Sequence, residues 1–248
     1  MIVNTDIQGW EVIYQQSHAL LAMKLASQWR LDQRPAPWLE TLAAILEHDD
    51  GQADWQHDTY LNNAGAPLDF AFQPISMTQM QRVTELMQYK SRWIALMVSM
   101  HMSFLYEKNR GSNQEVDDFL NQQQANQEKW RKALKINKTK TQQAYALVQF
   151  CDRFSLILCR QELPMDERAL EITKGPDGRR YEVTQRADKT LQVEPWPFET
   201  NDFTVTVEAT YLQQLHFNSD KELLKALRDS PVKEKTWRLL KSKGAASL

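Results

Sequence analysis

Residues 150–164 read FCDRFSLILCRQELP, and the character of the chain changes where this stretch ends. The apolar residues recur at helical spacing, and Pro164 closes the pattern because proline has no backbone N–H to donate inside a helix. Asp152 lies within the apolar run, where a carboxylate is costly to bury unless it is paired or binds a metal ion. The stretch therefore predicts the end of a helical region and a polar residue inside it.

Helix signals dominate the chain before Pro164. Capping residues, prolines and glycines divide these signals into five helices, separated in one place by a long loop over 51–75. The five predicted ranges are 10–29, 37–51, 76–108, 112–134 and 139–159.

Strand signals dominate after Pro164. A hairpin is predicted over 171–183, followed by strands over 191–194, 203–209 and 232–240 and a short helix after Ser219. The predicted fold is thus mainly α, a helical bundle with a small C-terminal antiparallel β unit, and α+β overall. We expect a helical metal-binding domain over 1–163 and a β-rich appendage over 164–248 that packs on it.

Bulk properties exclude several functional classes. The 248 residues carry a formal net charge of −2, so no basic field attracts nucleic acid. No apolar run reaches the length of a membrane span, and no glycine-rich loop for nucleotide phosphates is present. The two cysteines, Cys151 and Cys159, are expected to be buried free thiols. We expect a cytoplasmic protein with no signal peptide that acts on a small molecule and contacts neither nucleic acid nor membrane, and a homo-oligomer stays open.

Histidine and aspartate residues interrupt the apolar faces of four predicted helices. Residues 45–51 read ILEHDDG, which places His48 and Asp49 in the last turn of the second helix. A helix C-terminus carries partial negative charge, which favours a cation there. The other interruptions are His18 on the first helix, His101 on the third and Asp152 on the fifth. Imidazole and carboxylate ligands suit a divalent ion such as Zn, Fe, Mn or Ni.

The order of these residues resembles the HD superfamily of metal-dependent phosphohydrolases. In that pattern a lone His, a His-Asp doublet and a distant Asp come from separate helices, which corresponds here to His18, His48, Asp49 and Asp152. The chain also resembles an uncharacterised bacterial family in the segments QQSHALLA, LEHDDG, HMSFLYE, CDRFSL and VEPWPF. The first resemblance implies an HD-like bundle and a small phosphate ester or nucleotide as substrate, and the second implies no activity.

We expect one ion, bound by His18, His48, Asp49 and Asp152. His101 would be a fifth ligand or a group that contacts substrate, and a second ion would need His57 or Asp50.

Three residues are the catalytic candidates. Asp49 would be a ligand and a possible base, while His101 and Lys90 would stabilise developing charge. Glu11, placed on the face of His18, is an alternative base or an orienting partner. Two other functions stay open: an iron oxygenase of HD type, and a non-catalytic binding or scaffold protein with structural histidines.

Overall fold

The computed structural model describes residues 1–49, 59–73 and 76–242. Within these residues the helices are α1 (Gln15–Ser27), α2 (Trp38–Glu47), α3 (Met77–Gln88), α4 (Arg92–Tyr106), α5 (Gln114–Ala133), α6 (Lys138–Cys159) and α7 (Asp220–Asp229). The strands are β1 (Ile2–Asp6), β2 (Gly9–Ile13), β3 (Leu170–Lys174), β4 (Arg180–Gln185), β5 (Leu191–Glu194), β6 (Asp202–Leu212) and β7 (Val232–Leu240).

All seven strands form one mixed sheet in the order β1-β2-β6-β7-β5-β4-β3. Every neighbouring pair is antiparallel except β5 and β7, which run parallel. Gly9 lies where β2 meets β6, and a Cβ there would stand 2.0 Å from the Leu212 carbonyl oxygen. Glycine is therefore required for the first two strands to join the rest of the sheet.

The prediction of a mainly α, HD-like helical bundle with a small antiparallel β unit is wrong. The sheet has seven strands, it is mixed, and it recruits two strands from the N-terminal end of the chain. The hairpin, the later strands and α7 are confirmed where they were predicted. The division into domains at residue 163 stays a prediction, although β2 pairs directly with β6 from the other side of that boundary.

Two helix predictions also need correction. Residues 10–13 belong to β2, so Glu11 lies on a strand and not on the helix of His18. The long helix over 76–108 is two helices, because Ser91 adopts extended backbone and its hydroxyl accepts from the Ile94 N–H as a cap for α4. Lys90 therefore lies in a turn, outside the helix that carries His101.

The helical body covers one face of the sheet, and α7 covers part of the other. One face packs against the helical body in the larger apolar core, which includes Ile13, Leu25 and Phe154. A smaller core that includes Val12, Leu223 and Leu227 lies under α7. Among the described residues, no helix combines the length and the apolar character needed to cross a bilayer.

Candidate metal centre

Four helices of the body bring five polar side chains together. His18 lies on α1, His101 on α4 and Asp152 on α6, while His48 and Asp49 directly follow the last residue of α2. The three histidines are 0–1% exposed, and the Asp49 side chain, at 21%, is the most accessible of the five. These residues, His18, His48, Asp49, His101 and Asp152, are called the His/Asp cluster below.

The His18 ring is fixed by a chain of hydrogen bonds. The Ser155 hydroxyl donates its proton to the Asp152 carbonyl oxygen at 2.8 Å. Ser155 Oγ can then only accept from His18 Nδ1, which lies 2.9 Å away. The other nitrogen, His18 Nε2, lies 2.8 Å from Asp49 Oδ2. In the neutral ring, a lone pair on Nε2 therefore faces a carboxylate oxygen.

The His48 ring is held in the same way by the backbone. Its Nδ1–H donates to the Ile45 carbonyl oxygen at 2.6 Å. Its Nε2 lies 3.2 Å from Asp152 Oδ1 and 3.6 Å from Asp49 Oδ2. When this ring is neutral, as a metal ligand must be, its Nε2 also directs a lone pair at two carboxylates. Metal-binding histidines are commonly oriented by such a hydrogen bond from the far ring nitrogen.

His101 is the fifth member of the cluster, and its ring lies 4.8 Å from the ring of His48. Its Nε2 lies 3.9 Å from Asp152 Oδ2, and its Nδ1 lies 3.4 Å from the Tyr145 hydroxyl. That hydroxyl can accept from Nδ1–H, and this tautomer leaves Nε2 free for an ion.

The electrostatics of the cluster favour a positive charge at its centre. Burial opposes charge on His48, but Asp49 and Asp152 raise the pKa of His48 to about 9. Burial opposes ionisation of the two aspartates as well, yet the neighbouring imidazoles, His48 foremost, hold the pKa of each carboxyl below its usual range. Burial and the charge of His48 lower the pKa of His101 to about 4, so this ring is neutral at pH 7.

The geometry suits one ion among the described residues. Two groups have ligand atoms that all lie within 4.8 Å of one another, namely His18-His48-Asp49 and His48-His101-Asp152. Ligands about 2.0–2.2 Å from a common ion have separations in this range. The groups share His48, whose Nδ1 is committed to Ile45, so its single remaining lone pair serves one ion.

A cavity of about 320 Å³ opens beside the cluster. Its wall includes one carboxylate from each group, Asp49 and Asp152, together with His101. The remaining lining residues are Gln15, Phe70, Ala71, Gln73, Gln79, Leu105, Tyr106, Lys108, Asn109 and Leu156. This volume lies at the lower end of the range for small-molecule sites.

Two of the predicted residues lie outside the cluster. Lys90 forms an ion pair with Glu47 and does not line the cavity. Glu11 belongs to a separate group, called the Glu11 cluster, which consists of Glu11, Asn4, Gln161, Tyr211 and Lys235. Asp50 and His57 lie outside the residues that the structure describes.

Other residues at the site were not predicted from the sequence. Gln15 precedes His18 by three positions and Ser155 follows Asp152 by three, so each shares a helix face with a ligand candidate. Lys108 follows His101 by seven positions, which is two helical turns. Helical spacing from the histidines and aspartates was the available signal for all three.

The comparisons with known proteins yield one family. No curated protein and no solved structure matches the chain significantly. The expectation of a family without known activity is confirmed, whereas nothing ties the chain to the HD superfamily, and that resemblance stays a prediction. With a match over residues 1–214, the chain belongs to the family described as "Protein of unknown function (DUF3891)".

Proposed function

We propose that the His/Asp cluster binds a divalent ion and that the protein is a metal-dependent hydrolase of small phosphate esters. An ion at this position would lower the pKa of a bound water molecule and polarise a phosphoryl oxygen. The ligands would be His18, His48, Asp49 and Asp152, with His101 as a fifth ligand or as a contact to substrate.

One observation carries the ion-binding part of this proposal. Nε2 of His18 and Nε2 of His48 lie 2.8 and 3.2 Å from carboxylate oxygens, while both Nδ1 atoms already bond to protein acceptors. Acceptors that face one another in a buried site repel unless a positive charge lies between them, and in the ion-free protein a proton on His48 supplies that charge. A divalent ion bound in either group, His18-His48-Asp49 or His48-His101-Asp152, would place a positive charge between imidazole and carboxylate acceptors.

The cavity supports the hydrolytic part. Asp49, at its wall, combines the roles of ligand and candidate base, and the neutral His101 ring lies beside it. Lys108 is the one lysine or arginine among the described lining residues, and its ammonium group can contact a phosphoryl oxygen. Lys108 thereby takes the role that the sequence suggested for Lys90. The proposal is also supported by a resemblance to the HD phosphohydrolases in the order of the candidate ligands along the chain, which is His18, His48-Asp49 and Asp152.

Elemental analysis of the purified protein tests ion binding. We expect roughly one divalent ion per chain in the wild type and almost none in Asp49→Ala. Asp177→Ala is the matched control. The Asp177 side chain is 23% exposed, similar to Asp49, but it pairs with Arg179 and not with a member of the His/Asp cluster. Equal ion content in wild type and Asp49→Ala would refute the proposal.

A hydrolysis assay tests the chemistry once the ion is identified. Release of inorganic phosphate from small phosphomonoesters should stop on chelation, return when the ion is restored, and continue under nitrogen. Activity that needs dioxygen would replace the hydrolase with the iron oxygenase. A loaded protein inert on every ester, with or without dioxygen, would favour a binding protein.

A further inference from the structure

Gln15 carries a buried acceptor that the protein itself does not satisfy. The residue is 4% exposed and lines the cavity beside the His/Asp cluster. Its Nε2 donates to Asp49 Oδ2 at 3.4 Å. Because a carboxylate only accepts, this contact orients the amide and assigns the far atom as oxygen. That oxygen, Oε1, has no hydrogen-bond partner among the described residues.

Asn109 supplies a second unsatisfied acceptor to the same cavity. It ends the short 3-10 turn Glu107–Asn109 after α4, and its buried Oδ1 also lacks a partner in the described part of the chain. Buried acceptors without donors are rare in native proteins and cost free energy. Two of them on one small cavity indicate that the bound molecule brings the donors.

The types of group in the wall narrow the ligand further. Asp49 and Asp152 are acceptors like the two amide oxygens, whereas Lys108 is the one lysine or arginine among the described lining residues. The two carboxylates offset the charge of the proposed divalent ion, so a ligand with several negative charges would find only the Lys108 ammonium group as further compensation. A ligand with one phosphoryl group and several O–H donors matches the acceptors and the single ammonium group.

We infer that the substrate is a hydroxylated phosphate ester of the polyol type, whose hydroxyl groups donate to Gln15 Oε1 and Asn109 Oδ1. This inference rests on the proposed function and specifies its substrate class. Gln15 would then have two roles, because its Oε1 accepts from the substrate while its Nε2 donates to Asp49.

Isothermal titration with a matched pair of ligands tests the inference without relying on turnover. The probes are 3,4-dihydroxybutylphosphonate and butylphosphonate, which differ only by two hydroxyl groups and whose C–P bonds resist hydrolysis. With the ion-loaded wild type, we expect the dihydroxy compound to bind at least about tenfold more tightly. In Gln15→Met the ratio should fall to within about threefold, because the acceptor is gone.

Gln123→Met is the control for this substitution. Gln123 is 3% exposed, and its Oε1 accepts from the Ser99 hydroxyl between α4 and α5. The variant should keep the wild-type preference for hydroxyl groups despite losing a buried amide. Should Gln15→Met fail to fold, Asn109→Ala replaces it, and its ratio should also drop at least about threefold.

The outcomes separate this inference from the proposed function. A wild type that holds its ion and binds both phosphonates equally overturns the inference and leaves the proposed function intact. A preference that survives in Gln15→Met and in Asn109→Ala also overturns it. A protein that holds no ion in elemental analysis overturns both.

Discussion

The His/Asp cluster and the Glu11 cluster both bury carboxylates, but the protein completes only the second with its own donors. Glu11 accepts from Asn4, Gln161, Tyr211 and Lys235 at 2.7–3.0 Å, and the Lys235 ammonium group balances its charge. The His/Asp cluster sets two carboxylates against imidazole nitrogens whose far sides are already bonded. In the Glu11 cluster a lysine of the chain supplies the counter-charge, whereas in the His/Asp cluster a proton on His48 supplies it, and a divalent ion can replace that proton.

The first prediction concerns Glu11→Ala and carries the largest expected effect. The substitution removes the carboxylate that pairs with Lys235. The Lys235 side chain is only 19% exposed, so its ammonium group is left largely buried without a counter-charge. Breaking a buried ion pair in this way costs about 3–5 kcal/mol of unfolding free energy. Urea unfolding at pH 7 measures the loss. Elemental analysis should find the ion content unchanged, and a parallel loss of ion would show that the two clusters are not independent.

The second prediction concerns removal of the ion. Free ion at 100 times its Kd should stabilise the wild type by about 2.7 kcal/mol, which corresponds to a shift of about 5–10 °C in Tm. Thermal unfolding with and without chelator measures the shift. Glu11→Gln should show the same shift as the wild type, whereas Asp49→Ala should show none. An ion-dependent shift that persists in Asp49→Ala would place the ion elsewhere.

The third prediction concerns Ser155→Ala. The substitution removes the acceptor that holds His18 Nδ1, so the ring can rotate and its Nε2 is no longer held towards the other ligands. Loss of such an orienting contact typically weakens metal affinity about 10–100-fold. Competition with a chelator of known affinity measures the change. Ser99→Ala is the control, since Ser99 is equally buried but bonds to Gln123, and its affinity for the ion should stay at the wild-type value.

The sequence indicated the residues of the His/Asp cluster better than it indicated the fold. Strongly apolar helical faces are interrupted by His18, His101 and Asp152. A polar residue on such a face is costly to bury without a partner, and this pattern is visible in a single sequence. Strand β2 was not predicted because Glu11, Val12 and Ile13 are all buried. A strand covered on both faces lacks the alternation that identifies a strand, and its apolar residues then merge with the pattern of α1.

Lys90 was predicted at the site and lies outside it, whereas Gln15 lines the cavity and was not predicted. Both differences have local causes. Helical spacing placed Lys90 near His101, but Ser91 begins a new helix and removes the shared face. Gln15 is an uncharged amide in the first turn of α1, where such residues are ordinarily solvent-exposed. Only its contact to Asp49, 34 positions away in the sequence, distinguishes it, and that contact depends on how the helices pack.

The last prediction uses pH to sharpen the contrast and carries the smallest effect. Burial alone would raise the pKa of Glu11, but hydrogen bonds from Lys235, Asn4 and Tyr211 lower it below its ordinary value of 4.5. The stabilisation from this carboxylate is therefore complete above about pH 4.5 and is lost as the pH falls through the lower pKa of the folded state. Glu11→Gln, which cannot ionise, lacks this contribution. The wild type should thus exceed Glu11→Gln in unfolding free energy at pH 7, and the difference should shrink below pH 4.5 in urea titrations with chelator present. A difference that stays constant down to pH 3 would mean that the charge of Glu11 contributes nothing, and the Glu11 cluster would then be held by its shape and neutral hydrogen bonds alone.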